Sequence, residues 1–149
     1  MTEQFNLLLA DDDTDDRLFF DDALKMVPVS SQLKIVEDGE KLMHYLITHA
    51  QQLPDVVFLD LNMPRKNGVE CLNEIKSNHA LKNLPVIIYS TSMHEGMADS
   101  LYNSGAHYYF QKATLAELET NLNSVLSLMK AKNFIRPTRA NFVLKPAIA

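Results

Sequence analysis

Short apolar runs alternate along the whole sequence with longer segments of helical periodicity. The runs are rich in Val, Ile, Leu, Tyr and Phe, and they lie at 6–10, 33–36, 56–59, 86–89 and 108–110. Strands this short, with few polar residues between the apolar ones, are typical of a parallel sheet covered on both faces. Their alternation with helical segments predicts βαβ units, and therefore an α/β fold of five strands and five helices, (βα)5.

The segments between the runs carry recognisable helix starts and ends. We predict a helix after the acidic run at 11–16, a second capped by Asp38, a third from Gly68, a fourth over 95–103, and a fifth over 114–132. Thr114 and Glu117 match a capping box, and Gly105 suits a helix end. Each helix thus follows a strand, as the (βα)5 pattern requires.

Length and composition are those of one soluble domain with a tail. The chain has 149 residues, of which 46% are hydrophobic, enough for a full core. Residues 133–149 contain two prolines and no helical period, so we predict a domain over 4–132 and a tail over 133–149. The apolar residues 142–144 of the tail either dock on the domain or stay free.

The sequence also indicates where the protein works and which partners are excluded. A membrane-spanning run and a signal peptide are both missing, which predicts a cytoplasmic protein. The single Cys71 excludes an internal disulfide, and no basic stripe interleaves with aromatics, which argues against a nucleic-acid partner.

Polar residues follow the predicted strands at the point where each strand ends. Asp11 and Asp12 follow the first strand, Asp60 the third, Ser90 the fourth and Lys112 the fifth. Because ligands bind at the carboxyl edge of such sheets, we expect these side chains to converge. Clustered carboxylates need a cation, and hard oxygens suit Mg²⁺. The hydroxyl and the ammonium could share a phosphoryl group with that cation, with an aspartate as the nucleophile.

These segments together resemble the receiver domain of bacterial two-component response regulators, in a single-domain, chemotaxis-regulator-like form. The resemblance covers residues 4 to about 132, and it depends on 8–12 (LLADD), 55–64 (DVVFLDLNMP), Gly68, 84–90 (LPVIIYS) and 105–112 (GAHYYFQK). It implies a flavodoxin-like, doubly wound parallel sheet with strand order 2-1-3-4-5.

The resemblance implies a phosphoacceptor and a set of metal ligands. Asp60 would take a phosphoryl group from a phosphohistidine on a sensor histidine kinase. Mg²⁺ would be held by Asp12 and Asp60, by Asp11 through a water, and by the backbone carbonyl of Asn62. The protein would then be a signalling receiver and not a metabolic enzyme, because it would catalyse only its own phosphorylation and dephosphorylation.

The same resemblance implies a phosphoryl-binding pair and a switch residue. Ser90 would bond to a phosphoryl oxygen, and Lys112 would pair with the phosphate or, before phosphorylation, with Asp60. Tyr109 matches the aromatic residue whose rotamer links phosphorylation to the surface formed by helix 4, strand 5 and helix 5. Tyr108 lies on the opposite strand face and is the poorer candidate.

Two features depart from the family pattern or leave it open. Ala113 follows Lys112, where family members usually have a proline in a cis peptide, so we expect a trans bond. Asn62 and Ser92 stand at the positions that tune the lifetime of the phosphoryl group in this family, and the sequence does not fix that lifetime.

The rest of the acidic run is explained by capping and a solvated first helical turn, so Asp13, Asp15 and Asp16 are assigned no chemistry.

Three other kinds of site fit the acidic run less well. A calcium-binding loop would use Asp11, Asp13 and Asp15, but such a loop needs glycine where Asp16 stands and glutamate where Asp22 stands. A haloacid-dehalogenase-like phosphatase needs Asp-x-Asp-x-Thr, which no window of the run supplies. Three aspartates at the predicted phosphate position disfavour a flavin binder.

We therefore expect a stand-alone receiver that signals through a changed protein-binding face. The sequence leaves open a phosphorelay intermediate that passes its phosphoryl group to a histidine phosphotransfer protein. It also leaves open a homodimer through the helix 4, strand 5 and helix 5 face or through the tail. Residues 11–24 and 61–68 are similar to small receivers that partner with bacterial phytochrome-type kinases.

Overall fold

A five-stranded parallel sheet organises the computed structural model, which describes residues 3–91 and 95–144. The strands run in the order β2-β1-β3-β4-β5, which confirms the predicted doubly wound fold. They are β1 (Phe5–Ala10), β2 (Ser31–Val36), β3 (Val56–Leu59), β4 (Val86–Ser90) and β5 (Tyr108–Gln111). The helices are α1 (Thr14–Lys25), α2 (Gly39–Thr48), α3 (Gly68–Ser77), α4 (Glu95–Asn103) and α5 (Leu115–Lys130).

The sheet separates two apolar layers. Helices α1 and α5 pack on one face against side chains such as Leu9 and Phe58, and α2, α3 and α4 cover the other face against side chains such as Leu8 and Leu59. Neighbouring residues of one strand thus enter opposite layers, as the period of a strand requires. Because both faces are buried, the functional groups that follow the strands can only gather at the edge where the strands end.

Polar caps fix where the helices begin. Asp13 accepts a hydrogen bond from the amide of Asp16 at the start of α1, and Asp38 accepts one from Lys41 at the start of α2. Thr114 accepts from the amide of Glu117 at 3.2 Å, so α5 begins where the sequence predicted. No helix within 3–91 and 95–144 has the length and apolar content that crossing a membrane requires.

The described part of the tail, residues 133–144, lies across the free edge of β5, and we refer to it as the C-terminal strap. The amide of Tyr109 donates to the carbonyl of Phe142 at 3.0 Å, and the amide of Leu144 donates to the carbonyl of Tyr109 at 2.7 Å. The Phe142 ring is fully buried and makes edge contacts with the rings of Tyr102 and Tyr109. Of the two alternatives for residues 142–144, docking is therefore correct.

Further contacts join the strap to α4. The Tyr102 hydroxyl donates to the carbonyl of Pro137 at 2.9 Å, and the Arg136 guanidinium lies 3.8 Å from the centre of the Tyr102 ring. Arg139 Nε lies 2.6 Å from Asp99 Oδ1. The strap thus touches both α4 and β5, two of the three elements of the surface that the sequence linked to Tyr109.

Candidate functional site

Three carboxylates meet where β1 and β3 end. Asp11 and Asp12 come directly after β1, Asp60 comes directly after β3, and these two strands are neighbours in the sheet. One carboxylate oxygen from each lies within 4.8 Å of the others. Asp11 is fully buried, Asp60 is 5% exposed, and Asp12 is open to solvent. This set of hard oxygen donors, accessible from the Asp12 side, fits a divalent cation.

The Lys112 ammonium closes the cluster on the side of β5. Its Nζ lies 2.8 Å from Asp11 Oδ2, 2.9 Å from Asp16 Oδ2 and 3.5 Å from Asp60 Oδ2. The backbone amide of Lys112 donates to the carbonyl of Ser90 at 2.7 Å, which fixes the strand end from which the side chain extends. The predicted pairing of Lys112 with Asp60 is present, but it is the longest of these contacts.

The peptide bond that follows Lys112 is trans, as predicted from Ala113. No cis peptide bond occurs in the part of the chain that the structure describes. The lysine nevertheless reaches the carboxylates and is 8% exposed, so a proline in the next position is not required to bring it there.

Burial and neighbouring charged groups act in opposite directions on the pKa values of Asp60 and Lys112. Burial raises the pKa of Asp60 to about 6, the Lys112 ammonium opposes that rise, and the negative charge of Asp11 adds to it. Burial lowers the pKa of Lys112, but hydrogen bonds to Asp11 and Asp16 outweigh it and bring the pKa above its ordinary value. The lysine is therefore cationic at neutral pH, yet its charge does not compensate the whole cluster, which leaves a role for a further cation.

Sequence reasoning missed Asp16, which was expected to be solvated. Asp13 caps α1 and Asp15 is exposed, as expected, but the Asp16 carboxylate bonds to Lys112. The expectation was wrong because side chains in a first helical turn lean back toward the helix start, and here that start is the site itself. The available signal was the position of Asp16 in the first turn of a helix that begins directly after Asp11 and Asp12.

Ser90 and Tyr109 form a second group beside the carboxylates. Ser90 ends β4 and is fully buried, as is Tyr109 in the middle of β5. Burial raises the pKa of Tyr109, and a side-chain hydrogen bond with Ser90 opposes the rise. Tyr108 lies on the other face of the sheet and stacks on Phe134, so the predicted opposition of the two tyrosines is confirmed. The switch role of Tyr109 stays a prediction.

Asn62 and Ser92 complete the predicted residues. The Asn62 side chain is exposed, and the backbone amide of Asn62 donates to Asp60 Oδ1 at 3.4 Å. Its location directly beside the acceptor is compatible with the predicted carbonyl ligand, which stays a prediction. Ser92 lies outside the described residues.

Comparison with known proteins places the chain among signalling domains. Residues 7–123 match the family model of the response regulator receiver domain. Response regulator Rcp1 from Synechocystis sp. is 32% identical over 111 residues, which cover 72% of this chain and 76% of Rcp1. The crystal structure of the phosphorylated cyanobacterial phytochrome response regulator RcpA aligns with a TM-score of 0.77 and 30% identity over 87% of this chain and 96% of RcpA. The Mn²⁺-bound form of Rcp1 aligns with a TM-score of 0.73 and 29% identity over 96% of this chain and 99% of that one.

Proposed function

The chain belongs to the response regulator receiver domain family, and on that premise we propose that Asp60 accepts a phosphoryl group from a sensor histidine kinase in a Mg²⁺-dependent reaction. The observation that carries the proposal is the convergence of Asp11, Asp12 and Asp60 on one sheet edge with Lys112 beside them. Two-component signalling, and not metabolic turnover, is the activity of this family. The proposed receiver spans 4–132, with 133–149 as a tail.

The chemistry is a transfer between two nucleophiles. A carboxylate oxygen of Asp60 attacks the phosphorus of a phosphohistidine, the phosphorus–nitrogen bond breaks, and the imidazole leaves with the electron pair. Lys112 and the hydroxyl of Ser90 then donate hydrogen bonds to the phosphoryl oxygens. Mg²⁺ would be held by Asp12, Asp60, the Asn62 carbonyl and, through a water, Asp11. It would supply positive charge to the phosphoryl oxygens and favour the ionised form of Asp60.

We propose that Tyr109 links phosphorylation of Asp60 to the protein-binding surface. Tyr109 makes a side-chain hydrogen bond with Ser90, the proposed phosphoryl-binding residue, and its ring makes an edge contact with the ring of Phe142 in the strap. A shift of Ser90 toward a phosphoryl group breaks its hydrogen bond with Tyr109 and so biases the surface of α4, β5 and α5 toward a partner-binding form. Transfer onward to a histidine phosphotransfer protein remains the alternative, whereas a haloacid-dehalogenase-like phosphatase finds no support in the family match.

Intact mass measurement after incubation with acetyl phosphate and Mg²⁺ tests the acceptor. We expect a phosphoryl adduct on the wild type, no adduct on Asp60→Asn, and an undiminished adduct on Asp15→Asn, which removes an exposed aspartate of the same region. An adduct that survives in Asp60→Asn would refute the assignment.

A second measurement separates the two outputs. The phosphorylated protein is mixed with candidate histidine phosphotransfer proteins, and the phosphoryl label is followed on both partners. Retention on Asp60 favours signalling through the binding face, and rapid loss to the partner favours the relay.

A further inference from the structure

Lys112 is held more closely by Asp11 and Asp16 than by the proposed acceptor. Its contacts to Asp11 and Asp16, at 2.8 Å and 2.9 Å, are hydrogen bonds, whereas the 3.5 Å contact to Asp60 lies beyond ordinary hydrogen-bonding distance. A lysine ammonium has three donors, and Asp11 and Asp16 occupy two of them, so one is left for Asp60 or for a group attached to it. The ammonium can therefore make a second hydrogen bond to a phosphoryl group only if Asp11 or Asp16 releases a donor.

Asp11 and Asp16 are not equivalent holders. Asp11 is fully buried, belongs to the carboxylate cluster, and accepts the amide of Asp13 through its other oxygen. Asp16 stands outside that cluster, on the first turn of α1, and its side chain is 35% exposed. When the contact with Lys112 breaks, water can hydrate the partly exposed Asp16 carboxylate, whereas it cannot reach the buried Asp11 carboxylate. The contact with Asp16 is therefore the one that can break more easily.

We propose that Asp16 is a positioning residue, which holds Lys112 in the unphosphorylated protein and yields it to the phosphoryl group once Asp60 is modified. The inference rests on the proposed function of Asp60. A phosphoryl group carries more negative charge than the carboxylate it replaces, so it attracts the ammonium more strongly than a half-exposed carboxylate does. Breaking the Asp16 contact nevertheless opposes the change. Asp16 therefore keeps the population of phosphorylated protein below the level that Lys112 alone would give.

Asp15 offers a matched control for the charge removed at Asp16. It lies on the same turn of α1, is exposed, and makes no contact with Lys112 among the hydrogen bonds and ion pairs of the described residues. Asp15→Asn and Asp16→Asn change the net charge equally and affect the same helix start. A difference between them reports the contact with the lysine and not the charge of the helix terminus.

The first measurement is the steady-state ratio of phosphorylated to unphosphorylated protein, determined by intact mass measurement. The protein is incubated in saturating Mg²⁺ with acetyl phosphate at the concentration that phosphorylates half of the wild type. We expect Asp16→Asn to raise that ratio about three- to fivefold, which corresponds to the free energy of a partly exposed ion pair. Asp16→Glu, which keeps the carboxylate, returns the ratio toward the wild-type value, and Asp15→Asn leaves it unchanged.

The second measurement follows the ¹⁵N signal of Lys112 Nζ by NMR, with beryllofluoride plus Mg²⁺ as a mimic of the phosphoryl group. In the wild type the signal moves when the mimic binds. In Asp16→Asn without the mimic, the signal already lies part of the way toward that bound position, whereas in Asp15→Asn it lies at the wild-type position. A residue that only supports the helix start would not move it.

The inference is overturned if Asp16→Asn matches Asp15→Asn in the phosphorylated ratio, lowers that ratio, or leaves the Lys112 signal at its wild-type position. Failure of the proposed function is a different result. There the wild type itself takes up no phosphoryl group, or Asp60→Asn takes it up as well.

Discussion

Replacing Asp60 by Asn should stabilise the metal-free protein at neutral pH, although it removes the proposed acceptor. The pKa of Asp60 is about 6 in the folded protein, against an ordinary value of 3.8. Burial is the main cause, and the side chain is only 7% exposed. At roughly 1.4 kcal/mol per pH unit, the charged carboxylate weakens folding by about 3 kcal/mol. Asparagine keeps the shape and carries no charge, so we expect about that gain.

The sign of the effect fixes its pH dependence. Above about pH 6 the carboxylate is ionised in both the folded and the unfolded protein, and the folded state bears the full cost of the buried charge. Below 3.8 it is protonated in both states and the cost vanishes. The advantage of Asp60→Asn should therefore be complete above about pH 6 and shrink as the pH falls toward 3.8.

Urea unfolding followed by circular dichroism, with EDTA present, measures this advantage for the wild type, Asp60→Asn and the exposed-site control Asp15→Asn. Adding Mg²⁺ should narrow the gap, because the cation binds the folded wild type and offsets the buried charge. The reasoning fails if Asp60→Asn is no more stable than the wild type at neutral pH in EDTA. It also fails if the gap is as large at about pH 4 as at about pH 7.

Three further substitutions have defined outcomes. A Cβ at Gly68 would collide with the carbonyl oxygen of Asp60, so Gly68→Ala should slow phosphoryl uptake about tenfold in the intact mass assay, while Gly96→Ala, which meets open space, should not. Phe142→Ala empties a fully buried site in the strap and should cost about 3 kcal/mol in urea unfolding. Burial lowers the pKa of His107 to about 4, so this group contributes a loss of stability as the pH falls from 6.5 to about 4, opposite in sign to the contribution of Asp60. In urea unfolding, His107→Phe should therefore become more stable relative to the wild type over that range.

Much of the fold followed from the sequence because the central strands are apolar on both sides. The bounds predicted for β3, 56–59, agree with the structure, since polar Asp55 and Asp60 flank a fully buried run. The edge strand β2 begins earlier than predicted, at Ser31, because that residue pairs with Phe5 although it is polar. On an edge strand, backbone pairing extends beyond the residues that need burial, and apolar content does not report it.

In the candidate site, too, some contacts were predictable from the sequence and others were not. The meeting of Asp11, Asp60 and Lys112 was predictable, because parallel strands end at one edge whatever their loops do. The contact of Asp16 with Lys112 depends on how α1 is rotated about its axis, which strand order does not determine. The docking of Phe142 was left open for a comparable reason, since the strap has no periodicity to indicate a buried side.

The strap has a consequence for the solubility of the protein. The exposed edge of a sheet presents unpaired amides and carbonyls on which another chain can build a strand, and β5 is one of the two edges here. Both outward backbone groups of Tyr109, in the middle of that strand, are already paired with Phe142 and Leu144. The strap therefore makes this edge a poor template for intermolecular β-pairing, and truncating the chain before residue 139 should turn β5 into a site of aggregation.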